Sequence, residues 1–213
     1  MKKILLAFAL TAAVMTAGAQ VKELEPVYIE ELTDPVVYAK QLQEAAECEE
    51  CPASGKSGHD CHFVTNIKAS SHLAPQGKNN YDEKNLYDDN YFTPWVEGVK
   101  GYGIGEKVTL TVEIDYITIG GITITNGYSK SQTAWKNNSR VKKLKFSYNG
   151  QEMFILNLKD QMGEQSFAFG KDLNFDGNEL TKKFTITLEI LDVYKGDKYD
   201  DTAISEISFG GCH

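Results

Sequence analysis

Past residue 14, the 213-residue chain has no apolar run long enough to cross a bilayer as a helix. That excludes a helical span in the body of the protein. Basic residues are in deficit, with 22 Lys and Arg against 30 Asp and Glu for a net charge of −8, and they form no stripe. Such a chain repels phosphate backbones, so nucleic acid is excluded as a partner. Histidine is scarce. His59, His62, His72 and His213 lie toward the two ends, and neither a Gly-x-Ser-x-Gly elbow nor a zinc-protease helix is present. Long helical patterns are missing beyond about residue 63, which disfavours an α/β enzyme fold.

At the N-terminus, Lys2 and Lys3 precede an apolar run from Ile4 to Val14, and Ala17-Gly18-Ala19 supplies small residues for cleavage. This is the pattern of a secretory signal over residues 1–19. Cleavage is expected before Gln20, and no cysteine follows Ala19 to carry a lipid. The mature chain is expected to be bacterial and periplasmic or secreted.

Residues 20–62 read as a separate extension. Thr33-Asp34-Pro35 marks a helix start, the good helix formers "VVYAKQLQEAAE" follow, and a cysteine-rich loop comes next. Gly55-Lys56-Ser57 resembles the end of a phosphate-binding loop. Glu50 stands where the first glycine of that motif belongs and no strand precedes it, so nucleotide binding is rejected. The four cysteines are Cys48, Cys51, Cys61 and Cys212. In an exported chain an even count points first to disulfides. Zinc stays open, because His59, Cys61 and His62 follow Cys48-x-x-Cys51, as does a redox-active Cys48–Cys51 pair. The extension is also a candidate contact for a protein partner.

From Phe63 the dominant period is two. Val108, Leu110, Val112 and Ile114 alternate with Thr109, Thr111 and Glu113; Leu144, Phe146 and Tyr148 alternate with Lys143, Lys145 and Ser147; Phe184, Ile186, Leu188 and Ile190 alternate with Thr185, Thr187 and Glu189. Asn149-Gly150 is a tight hairpin signal. Short strands of this kind, each with one apolar face, predict an all-β, antiparallel jelly roll or β-sandwich over residues 63–213, preceded by the short helical extension.

Four stretches could carry chemistry. "DLNFDGNEL", Asp172 to Leu180, has the first half of a calcium loop but closes on Lys183 instead of glutamate, so a turn at Asp176-Gly177 is expected. "TPWVEGVKGYGIGE" places Trp95 beside a glycine-rich loop, where an indole could stack on a sugar face or, equally, plug one end of the sandwich core. "TNGYSKSQTAWKNNSRVKK" gathers Asn126, Tyr128, Asn138 and Arg140, a set of directional hydrogen-bonding groups suited to hydroxyl-rich or anionic ligands. "YKGDKYDDTAISEI" holds Asp200, Asp201 and Glu206. Glu97 and Asp200 are expected at the same rim, as ligand contacts or, in an enzyme reading, as a glycosidase pair. Ile204 and Ile207 cannot both face inward in a regular strand. Glu206 is therefore expected at a bulge, and drawn inward it needs a cation or a basic partner.

The segments "ASSHLAPQGKNNYDEKNLYDDNYFTPWVEGVKGYGIGE", "ITNGYSK…NNSRVKKL" and "ILDVYKGDKYDDTAISEI" resemble, in order, the discoidin-like domain of the NADase-type glycan-binding family. The resemblance implies a galactose-binding-like β-sandwich, a non-catalytic accessory module for glycans without the glycohydrolase activity after which the family is named. It also implies a structural cation, calcium by its oxygen donors, at Asp88, Asn90, Thr93 and Glu206. Two departures touch that site: Asp89 replaces the usual glycine, and proline replaces a small residue in "TPW". Adjacent domain termini in such sandwiches imply a Cys61–Cys212 disulfide, which leaves Cys48 and Cys51 to pair or stay reduced. The expected function is an exported, non-catalytic module that recognises carbohydrate through rim loops around Trp95, Tyr128 and Arg140. The alternative is an envelope structural or protein-interaction domain without a glycan ligand.

Overall fold

The structure, a computed structural model, describes residues 21–31, 63–115, 118–177 and 179–210. Its strands are β1 (Lys22–Leu24), β2 (Tyr28–Glu31), β3 (Val64–Ala69), β4 (Trp95–Val96), β5 (Lys107–Glu113), β6 (Gly121–Asn126), β7 (Ser139–Tyr148), β8 (Gln151–Asn157), β9 (Gly163–Ala168), β10 (Lys183–Tyr194) and β11 (Thr202–Gly210). A 3-10 turn covers Glu83–Tyr87 and one short helix, α1, covers Gln132–Asn137. No helix among the described residues is long and apolar enough to cross a membrane.

The predicted period of two is what the strands use. In β5 Val108, Leu110 and Val112 are buried while their neighbours are not, and β10 repeats the pattern from Phe184 to Ile190. One layer runs β1-β8-β7-β10-β5-β3 and the other β2-β9-β6-β11-β4, and a short parallel pairing of Thr202↔Ser139 and Ala203↔Arg140 joins them. The pairings are antiparallel except for that one and β1 with β8. Both layers feed one core. Phe169, which follows β9, meets Phe146 of β7 at 5.0 Å and stacks on Phe154 of β8 at 5.1 Å. The class predicted from the sequence, a β-sandwich, is the class found.

Two local expectations hold. Asn149 and Gly150 take φ of 47° and 78°, the left-handed pair that a tight hairpin between β7 and β8 demands. β11 shifts register against β6 between Ile204 and Glu206, so Ser205 is the extra residue of a bulge, and the strand is buried on both sides of it. The predicted N-terminal helix and all four cysteines, Cys48, Cys51, Cys61 and Cys212, lie outside the described residues. Segment 172–180 makes an isolated bridge between Phe175 and Leu180, with the Glu179 amide donating to Asp176, as the turn reading expects.

Candidate functional site

The bulge carries Glu206 under the turn that precedes β4. Asp88 Oδ1 and Glu206 Oε2 both accept the Asn90 amide, at 3.0 and 3.2 Å, and Glu206 Oε1 accepts the Ile207 amide at 3.3 Å. Thr93 Oγ1 donates to Asp88 Oδ2 at 2.8 Å and lies 2.9 Å from the Asn90 carbonyl. The four residues that the resemblance pointed to are thus brought together. Glu206 is 6% exposed, and burial, with Asp88 adding, pushes its carboxyl up to about 9. Partial desolvation likewise holds Asp88 above the ordinary carboxylate range, with Asp89 contributing. Asp89 takes φ 57°, the left-handed conformation that explains why glycine suits this place. Two carboxylates, a hydroxyl and a carbonyl make an all-oxygen donor set that fits a hard divalent cation. Among the described residues no group of three or more His, Cys, Asp or Glu is arranged to hold a metal, so carbonyl and hydroxyl oxygens would have to complete this one.

The residues expected to face a ligand are mostly interior. Trp95 is 0% exposed, pairs in β4 with Ile204 of β11, and donates its indole N–H to the Ser71 carbonyl at 3.0 Å. It anchors the core and cannot stack on a sugar: of the two roles the sequence left open, the structure takes the core plug and corrects Trp95 as a ligand contact. The reason is that both faces of the short strand are covered: Trp95 points into the main core, and Val96 into a second cluster with Tyr81, Tyr128 and Ala203. Glu97 is also fully buried and accepts the Val99 and Thr202 amides at 2.8 and 3.2 Å. Burial raises its carboxyl, with Asp201 and Glu106 adding to the effect. With both oxygens committed to backbone amides, Glu97 organises a loop and has no geometry for acid–base work with Asp200.

Asn126 uses its amide like a strand residue, donating to the Val141 carbonyl at 2.7 Å and accepting the Val141 amide at 3.0 Å. Arg140 lies over the Trp135 ring at 4.4 Å and forks onto Asp160 at 2.8 and 3.0 Å. Trp135 donates to the Asn126 carbonyl at 3.0 Å. Gly127, at φ 81°, passes so close to Arg140 and Trp135 that a Cβ would collide with both. Tyr128 packs edge-on against Tyr81 at 6.3 Å, and burial pushes its phenol up to about 12. Asn138 ends α1, donating to the Ala134 carbonyl at 2.8 Å. Asn126, Tyr128 and Arg140 are therefore interior scaffold, corrected from ligand contacts for the same reason as Trp95: burial satisfies their polar groups internally. Of the ligand candidates, Asn138 is half-buried and Asp200 is exposed.

What does face solvent at this end is a pair of loops, 97–106 and 195–201. Ile104, Val99 and Tyr199 are 56%, 39% and 42% exposed. Lys195 sits 4.8 Å over the half-buried Tyr102 ring and Lys198 4.9 Å over Tyr199. The two loops are tied together: Thr202 Oγ1 donates to the Tyr102 carbonyl at 2.9 Å, and the Glu97 amide donates to the Thr202 carbonyl at 3.1 Å. Sequence reasoning missed Tyr102 and Tyr199. Their available signal was a tyrosine closely following a Lys-Gly pair in both "KGYGIGEK" and "YKGDKYDD".

Comparison with solved structures places the fold. A Clostridium perfringens ZmpB structure holding two CBM32 domains and a catalytic domain aligns with TM-score 0.51 and 11% identity, over 92% of this chain and 17% of that one. CpGH89CBM32-5 from Clostridium perfringens, in complex with GalNAc-β-1,3-galactose, aligns with TM-score 0.47 and 17% identity, over 68% and 93%. The arabinofuranosyltransferase AftD from Mycobacteria aligns with TM-score 0.47 and 14% identity over 69% of this chain, which spans 11% of that protein's length. No curated protein matches the sequence. A family model described as the NAD glycohydrolase translocation F5/8 type C domain matches residues 59–210, most of the chain. The chain belongs to this NAD glycohydrolase translocation F5/8 type C (discoidin-like) domain family.

Proposed function

We propose that the protein is an exported, non-catalytic carbohydrate-binding module whose docking surface is the rim formed by loops 97–106 and 195–201. The observation that carries this reading is the pair Tyr102 and Tyr199, each under a lysine, on loops fastened to one another through Thr202. Aromatic faces bind the apolar side of a pyranose, and lysines beside them donate to hydroxyl or carboxylate oxygens. Asp200, exposed on the same loop, adds an acceptor. The CBM32-type fold supports the ligand class, and a CBM32 module such as CpGH89CBM32-5 is described with a bound disaccharide.

In this reading calcium is a structural ion held by Asp88, Asn90, Thr93 and Glu206. The chemistry it supplies is charge neutralisation, pinning the turn before β4 to the bulge of β11. The experiment is a glycan array on the mature chain with calcium or with chelator, followed by titration of the saccharides retained. Saccharide binding that falls in Tyr199→Ala supports the reading; an array without signal overturns it.

A further inference from the structure

Residues 21–31 lie outside the family match, which starts at residue 59, yet they bind two sheet edges at once. β1 adds in parallel to β8 over Lys22↔Phe154, Glu23↔Ile155 and Leu24↔Leu156. β2 adds antiparallel to β9, from Tyr28↔Ser166 to Glu31↔Gly163. Among the described residues β8 otherwise pairs only with β7, and β9 only with β6. Without this strap both would be free edges, ready templates for an added strand. Pro26, which has no amide to donate, separates the two pairings.

The strap is held by complementary charge and one apolar plug. Glu23 meets Asn157 Nδ2 at 2.9 Å and Lys143 Nζ at 3.4 Å; Glu25 meets Lys159 Nζ at 2.5 Å and Asn157 Nδ2 at 3.0 Å. Leu24 joins the main core, whereas Val27 and Tyr28 remain 69% and 57% exposed. These ion pairs lie in solvent, where they contribute little and are screened by salt. Leu24 is the one buried side chain of the segment, so little apolar surface opposes its local opening.

We infer that the edges of β8 and β9 form a receptor for an extended acidic peptide of the pattern Glu-Leu-Glu-Pro, filled in this chain by its own residues 21–31 as a displaceable strap. A partner carrying such a segment docks by strand addition, with backbone pairing for affinity and the Leu24 pocket and the Lys143–Lys159 face for specificity.

Two measurements on the full chain test this. In hydrogen exchange, the amides of residues 22–24 and 28–31 are expected to exchange at least about 10-fold faster than those of β7 and β10, and faster still at high salt. A fluorescent synthetic peptide of residues 21–31 is expected to bind the strap-released variant Glu23→Lys/Leu24→Asp at least about 10-fold tighter than the wild type, where the strap competes in cis. The same peptide with lysines for its glutamates should not bind. Strap amides that exchange together with β7 and β10 overturn the inference, as does a folded variant that ignores the peptide. A variant that fails to fold marks the strap as an integral strand and overturns it too.

Discussion

Asp88 and Glu206, 118 residues apart in sequence, accept the same backbone amide of Asn90, at 3.0 and 3.2 Å. Two carboxylates facing one donor, one of them buried, form an arrangement that is unfavourable when both are ionised. The folded state therefore holds the Glu206 proton more tightly than the unfolded chain does, up to about 9 against an ordinary 4.5. For a carboxyl raised in this direction, the stabilising contribution is full below the unfolded value and is lost as pH rises toward 9.

Stability without calcium is thus expected to fall between pH 5 and pH 9. Calcium reverses this by neutralising the pair, and a concentration of about 100 times Kd should raise Tm by roughly 5–10 °C at pH 8. Glu206→Gln should flatten the pH slope and abolish the calcium shift. Thermal melts at three pH values, with calcium or chelator, check it; equal melts at every pH would count against the site.

The bulge beneath this pair was legible in the sequence, because Ile204 and Ile207 break the two-residue period that β5 and the first part of β10 keep. The Asn149–Gly150 turn was legible for a similar reason, since few residue pairs adopt left-handed φ cheaply. Trp95 was legible only as an open choice. An indole beside four glycines suits an exposed loop or a plug at the end of the core, and only its pairing across β4 to Ile204, more than a hundred residues away, decides for the core. The same long-range closure hid the roles of Asn126 and Arg140, whose polar groups are satisfied by Val141 and Asp160. β1 and β2 left no periodic trace, because three- and four-residue strands are too short to show one.

Trp95→Ala should therefore act on stability. Truncating a fully buried tryptophan costs about 3–5 kcal/mol, and loss of the Ser71 hydrogen bond is included in that figure. Urea unfolding measures it. A variant as stable as the wild type would contradict the interior placement.

Arg140→Lys keeps the charge but loses the fork onto Asp160 and the flat contact with Trp135. Because Asp160 is 41% exposed, the expected cost is moderate, about 1–2 kcal/mol. Arg140→Ala should cost more, and a double-mutant cycle with Asp160→Ala isolates the pair.

Gly127→Ala meets both a strained φ and the Arg140–Trp135 stack, and should lower stability by at least about 2 kcal/mol. Gly150→Ala, also at positive φ but with open space around it, should cost only the conformational part, about 1 kcal/mol. Comparing the two by denaturant melts separates crowding from backbone strain.

Removal of the rim aromatics should leave the fold intact, since Tyr199 sits on the surface. The central claim is tested most directly by titrating an array-selected saccharide into the wild type and into the Tyr102→Ala/Tyr199→Ala variant, with circular dichroism confirming the fold. The account predicts that affinity drops at least about 10-fold while the spectrum is unchanged. Undiminished binding by the folded double variant would contradict it.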